Sequence, residues 1–195
     1  MNHLETLLRN FIHDIYPMSS GAQADIRQIT EFVQVGKNEV FVTHGRPNRY
    51  EYILLEGICR SYLLDPMGDD ITISFFQGPS VLSPHSIRTA NRLSLYNFQA
   101  CTEIQIGRID ADAFMQHMIS NPEIREFGNT VMRLELQQKV DKEIGLAALT
   151  ARERLLQFRQ RFSMLENLVP HTQIASYLGI SAISLSRLRS DIAKE

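Results

Sequence analysis

The chain has 195 residues, 44% of them apolar and 22% charged, the composition of an ordinary folded protein. Its net charge of −2 excludes a uniformly basic coat protein. No run of about 18 apolar residues offers a membrane span, and two cysteines, Cys59 and Cys101, cannot build a disulfide framework or a four-thiolate cluster site.

The first residues lack the basic-then-apolar pattern of a secretory leader, and a reducing cytoplasm is the expected location. Leu4, Leu7, Leu8, Phe11, Ile12 and Ile15 recur at helical spacing and predict an amphipathic helix over 3–16, closed by Pro17. A second, short helix is expected over 22–32, with Ile26 and Ile29 inward. From Val33 the texture changes to short β-rich runs: Glu39–Thr43, Tyr52–Leu55, Cys59–Leu64, Asp70–Phe76, Leu93–Ala100 and Glu103–Ile109. Strands at this spacing indicate a small antiparallel barrel or sandwich. Pro66 and Gly68 mark a tight hairpin.

Asp110 opens a helical stretch through Phe114, Met118 and Ile119, which Asn121 and Pro122 break. A long helix is predicted over 122–147. Ile124, Phe127, Val131 and Leu134 follow a +3, +4, +3 stripe, continued by Val140 and Ile144. Such a stripe either packs on the chain's own barrel or forms a dimer seam, and its length favours the seam. Thr150 and Glu153 form a capping box for a further helix. Three regions follow: 1–121, 122–149 and 150–195.

The charge is distributed unevenly. Residues 1–149 carry 13 basic and 18 acidic side chains, and residues 150–195 carry 7 and 4. Only the last quarter has the sign that suits a polyanion. Within it, Ile174 and Leu178 share a buried face, and Ala175 lets a second helix cross closely. Gly179 can end the first helix in a left-handed conformation, Ile180 plugs the turn, and Ser181 caps the next helix. Leu185, Leu188 and Ile192 return to the core. The outer face is left to Ala182, Ile183, Ser186, Arg187 and Ser190, with Arg189 at its flank. This order of residues predicts a helix-turn-helix whose second helix is narrow enough for a major groove. Thr172, Gln173 and Ser181 complete the candidate DNA contacts.

At this point the sequence resembles the superfamily of the catabolite activator protein and Fnr (Crp/Fnr). The front half carries Gly36-Lys37-Asn38-Glu39, His44-Gly45, Tyr50 to Gly57, Arg60-Ser61-Tyr62 and Asp65-Pro66-Met67-Gly68. The back half carries Ala151-Arg152-Glu153-Arg154 and the stretch from Ile174 through Leu185-Ser186-Arg187. The resemblance implies an α+β fold: a cyclic-nucleotide-binding-type β-roll (a double-stranded β-helix or jelly roll), a long dimerisation helix, and a C-terminal winged helix-turn-helix. It implies a homodimer on a near-palindromic double-stranded DNA operator, with RNA polymerase as a further partner, and a β-roll that either senses an unknown small-molecule effector or serves as a rigid dimerisation module.

The departures are specific. Cyclic-nucleotide binders of the superfamily place Gly-Glu where this chain has Leu82-Ser83, and their phosphate-binding arginine falls near Ser94. Without that guanidinium a cyclic phosphate loses its strongest contacts, so cyclic AMP is not expected. Leu82, Ser83, Arg88, Arg92, Ser94 and Tyr96 outline the corresponding effector pocket; Arg88 and Arg92 read as loop arginines, with replacement of the missing one as the alternative. No cofactor is expected, since the cysteines of an iron–sulfur cluster are lacking. In the recognition helix, Ala182 and Ile183 stand where the activator reads guanine and cytosine, and can meet only a thymine methyl. Arg187 is the base-reading candidate, and Arg189 is expected to touch phosphate.

No P-loop, GxGxxG, HExxH or GxSxG motif is present, so an enzyme is not expected. The leading expectation is a dimeric transcription regulator. Its rival is a small-molecule-binding β-roll with a vestigial DNA-binding domain.

Overall fold

The structure, a computed structural model, describes residues 2–194. Two helices open it, α1 (His3–Ile15) and α2 (Ser20–Gln28), followed by strands β1 (Thr30–Val35), β2 (Val40–Val42), β3 (Tyr50–Glu56), β4 (Ile58–Leu64), β5 (Asp70–Gln77) and β6 (Ser80–Val81). A single helical turn α3 (His85–Arg88) leads to β7 (Thr89–Ala90), β8 (Leu93–Ser94), β9 (Asn97–Ala100) and β10 (Ile104–Asp110). Helices α4 (Ala111–Ser120), α5 (Pro122–Ala148), α6 (Ala151–Arg161), α7 (His171–Tyr177) and α8 (Ala182–Ile192) complete the chain.

The strands form two antiparallel four-stranded sheets, ordered β1-β10-β3-β6 and β2-β9-β4-β5, and a small β7-β8 pair. The expected antiparallel roll is therefore present. β1 was not foreseen: residues 30–32 fall in the predicted second helix but pair with β10, Thr30 opposite Ile109 and Phe32 opposite Gly107. The pairing with β10 supplies ladder hydrogen bonds that a local helical pattern cannot anticipate.

Three apolar cores follow from the two-residue period of the strands. Tyr52 and Leu54 of β3 face into the roll beside Val35, Phe76, Leu82 and Phe98. Ile53 and Leu55 face outward, against α1, α2 and α5. On the other sheet, Ile58, Phe75 and Cys101 pack on Leu155, Phe158, Phe162 and Ile174 of the C-terminal helices. Strand β3 is buried on both faces, which is why it reads as the continuous apolar run Ile53-Leu54-Leu55.

This packing corrects the expectation for the long helix. Ile124, Phe127 and Val131, 0%, 3% and 9% exposed, lie in the chain's own core with Leu8, Phe11, Ile26 and Ile53. They are not free to form a seam. Leu134, the fourth member of the stripe, is exposed. Val140 and Ile144, expected to continue the stripe, are exposed as well and fall instead on an uncovered ridge of α5 where Met132, Leu136, Val140 and Ile144 recur at +4.

The caps match the sequence chemistry. Asn121 caps α5 through the Glu123 amide, and Thr150 with Glu153 closes a reciprocal capping box on α6. Among the described residues no strand follows β10. The wing that the resemblance implies is absent from residues 150–194, and only the 3-10 turn Leu165–Asn167 links α6 to α7. Among the described residues no helix is long and apolar enough to cross a membrane.

Candidate functional site

Helices α7 and α8 form the helix-turn-helix. Gly179 takes φ +68° at the turn, a conformation that costs a residue with a Cβ about 1–2 kcal/mol. A Cβ there would also stand 3.2 Å from Leu146 Cδ2 of α5. Ser181 caps α8, its hydroxyl accepting the Ser184 amide at 3.1 Å. Leu185 is 1% exposed against Ile174 and Ala175. The opposite side presents Ser181, Ala182, Ile183, Ser186, Arg187 and Ser190 together, all exposed. Ile183 is 66% exposed, an apolar side chain with nothing to cover it.

The flanking residues are placed differently. Thr172 is exposed at the start of α7, whereas Gln173 is half-buried, and its side-chain Oε1 is buried without a hydrogen-bond partner. Arg189 is held from two sides: its Nε lies 3.3 Å from Glu166, and its Nη1 lies 2.7 Å from His171 Nδ1. Glu166 also pairs with Arg159 at 2.6 Å. A guanidinium so engaged is not presented to phosphate as the free side chain of Arg187 is.

The helix-turn-helix is docked on the β-roll. Phe75 of β5 meets Phe158, Phe162 and Tyr177 at ring-centroid distances of 6.0, 6.3 and 5.4 Å, within the range of favourable aromatic pairs. The Ser176 hydroxyl accepts the Thr72 amide at 2.9 Å and donates to the Asp70 carbonyl at 3.2 Å. Arg60, 2% exposed, fixes the same strand through Thr72 Oγ1 at 3.1 Å and the Asp70 carboxylate. No local sequence pattern signals this contact, because Thr72 and Ser176 lie 104 positions apart.

The effector-pocket residues divide into two sets. Leu82, Ser83, Arg88 and Ser94 are all buried, with exposures of 0–3%. Tyr96 is half-buried, 5.9 Å from the Lys139 ammonium. Arg92 is exposed at φ +63° and pairs with Asp112 at 3.2 Å. Arg88 is not the loop arginine that its sequence context suggested. Its guanidinium donates to the carbonyls of Ser83 (3.0 Å) and Tyr50 and stands 4.9 Å from the Tyr52 ring centroid, while Nη1 is buried with no partner. Burial lowers its pKa, and Glu51 opposes that shift. The Ser83 hydroxyl donates at 2.6 Å to Glu135 of α5, a carboxylate only 8% exposed. A carboxylate paired with Lys139 at 3.1 Å therefore occupies the position facing Ser83, and the pair offers no net positive charge to an anion there.

A cavity of about 320 Å³ outside the roll was not foreseen. It lies between β3, α4 and α5, lined by Glu51, His85, Phe114, Met118 and Met132. Burial raises the pKa of Glu51, whose carboxylate accepts the His85 amide at 2.8 Å. Among the described residues no cluster of His, Cys, Asp and Glu could hold a metal ion.

No protein-family model matches the chain, and no curated protein sequence does. Solved structures do. FixK2 from Bradyrhizobium japonicum superposes with a TM-score of 0.71 at 19% identity, over 85% of each chain. The c-di-GMP-responsive global regulator CLP of Xanthomonas campestris gives 0.70 at 11% identity, over 90% of this chain and 92% of the other. A CooA variant from Carboxydothermus hydrogenoformans gives 0.68 at 18% identity, over 94% and 83%. At these identities the likeness establishes the fold alone, a β-roll, a long helix and a helix-turn-helix in that order.

Proposed function

We propose that this chain is a dimeric, DNA-binding transcription regulator of the Crp/Fnr type that responds to an effector other than cyclic AMP or to none. The observation that carries the reading is the outer face of α8, where small side chains and an Arg187 with no ion-pair partner among the described residues stand exposed on a helix whose other side packs through Leu185, Leu188 and Ile192. A major groove about 12 Å wide admits such a helix. Arg187 is the base reader, and Ala182 and Ile183 meet thymine methyls.

Dimerisation uses the uncovered +4 ridge of α5, Met132, Leu136, Val140 and Ile144, rather than the buried Ile124 stripe. Exposed i±4 ridges are the surfaces that interdigitate between helices. Two recognition helices then reach successive major grooves about 34 Å apart on a near-palindromic site. The reading against cyclic AMP is supported by Glu135 at Ser83 and by Arg88, which fills the interior instead of offering a fork at Ser94.

The test is capture of genomic fragments by the full-length protein, followed by footprinting and a salt titration. The expected result is a protected near-palindrome, with log K falling linearly in log salt as phosphate counterions are released. Failure to retain any duplex at low ionic strength overturns the reading.

A further inference from the structure

Where the long helix, the helix-turn-helix and strand β5 meet, they line a cavity of about 590 Å³ that is open to solvent on one side. Its walls are Ile73–Phe76 of β5, one face of α5 from Glu135 to Ala147, Arg161 at the end of α6 and Tyr177 at the end of α7. Three cations converge on it: Lys139, Lys142 and Arg161. Lys139 is neutralised by Glu135 at 3.1 Å. Arg161 donates to the neutral amide of Gln138 at 2.7 Å. Lys142 donates to the Ile73 carbonyl, and its ammonium stands 4.2 Å from the Tyr177 ring centroid. Among the described residues no carboxylate lies within ion-pair distance of Lys142 or Arg161, although Glu143 shares the wall.

Half-buried cations without a counter-ion are costly. Burial brings Lys142 down to about 8, and the charges of Lys139 and Arg161 push it the same way. Ile73, Phe75, Phe76, Leu146 and Ala147 give the wall an apolar part beside the polar Ser74 and Glu143. The volume lies within the range of about 300–1,000 Å³ that small-molecule pockets occupy.

We propose that this junction cavity binds a small organic anion, a carboxylate or phosphate group on an apolar or aromatic body. Lys142 and Arg161 hold the charged group, and Phe75, Phe76 and Leu146 line the space for the body. An occupant touches β5, α5, α6 and α7 at once and so holds the helix-turn-helix against the β-roll. The regulatory consequence rests on the DNA-binding reading; the binding itself does not.

The experiment is calorimetric titration of the full chain with 1-naphthyl phosphate, 1-naphthoate and the neutral 1-naphthamide, with hydrogen exchange followed over 70–77 and 171–178. At least one anion is expected to bind, the amide about tenfold or more weakly, a difference of about 1.4 kcal/mol. The better of the two anions identifies the head group. Lys142→Met and Arg161→Gln are each expected to weaken the anion at least about tenfold, Arg161→Lys to restore most of it, and Arg9→Gln, on the exposed side of α1, to leave it unchanged. Bound anion is expected to slow exchange of the Thr72 amide. Equal binding of anion and amide, no binding at millimolar concentration, or anion binding unaffected by both substitutions in folded protein overturns the proposal. Neither measurement contains DNA, so its failure is distinct from failure of the regulator reading.

Discussion

The hydroxyl of Ser176 accepts the backbone amide of Thr72 at 2.9 Å, so a side chain of the first helix of the helix-turn-helix supplies a hydrogen bond to an edge strand of the β-roll. Strand β5 pairs only with β4, and its other edge needs partners of this kind. The docked position of the helix-turn-helix is thus written into the backbone of the sheet as well as into the aromatic cluster around Phe75.

Ser176→Ala removes that acceptor and leaves the Thr72 amide unpaired. We expect a loss of about 1–2 kcal/mol in urea denaturation, together with faster hydrogen exchange at Thr72. Ser176→Thr, which keeps a hydroxyl, should retain most of the protection. Unchanged exchange in the alanine variant would show that the contact does not hold the two parts together.

Lys142 makes stability depend on alkaline pH in a defined direction. Its folded value is about 8, against 10.5 for the free group, chiefly through burial. Below about 8 the ammonium is carried in both states and the cost of burying it is present in full. Between 8 and 10.5 the unfolded chain binds the proton that the folded chain has released, so this residue's contribution to stability rises with pH. The facing groups are Lys139, Glu135 and Glu143 on α5, Arg161 on α6 and Tyr177 on α7. Burial raises the pKa of the Tyr177 phenol above its ordinary value of 10, beyond the range of the comparison below. Denaturation midpoints of wild type and Lys142→Met, compared from pH 7 to 9.5, should show wild type gaining on the variant above pH 8. Parallel curves would contradict the assignment.

Arg187→Ala should weaken specific duplex binding by about 1–3 kcal/mol and relax discrimination at one base pair. A gel-shift series over operators altered one pair at a time measures both. An equal loss on every duplex would instead make Arg187 a phosphate contact.

Glu166 holds Arg189 and Arg159 on the flank of α8. Glu166→Gln removes a negative charge from the DNA-facing side and releases Arg189. Duplex binding should strengthen at low salt, and the slope of log K against log salt should steepen by about 0.9 if one further phosphate is engaged. An unchanged slope would mean that Arg189 stays on His171 even without the carboxylate.

Local sequence determined those features in which neighbouring residues satisfy one another: the caps at Asp110, Asn121, Thr150 and Ser181, the left-handed turn at Gly179, and the exposed face ending in Arg187. Each depends on interactions within a few positions along the chain. Strand β1, the burial of Arg88 and the fate of the long-helix stripe depended on partners far away. Ile124, Phe127 and Val131 have the spacing of a seam, yet α1, α2 and β3 reach them first within the same chain. Adjacent Phe75 and Phe76 show the reason most directly. The alternation of a strand sends Phe76 into the roll and Phe75 onto the helix-turn-helix, and only the packing of the sheets decides which core each one joins.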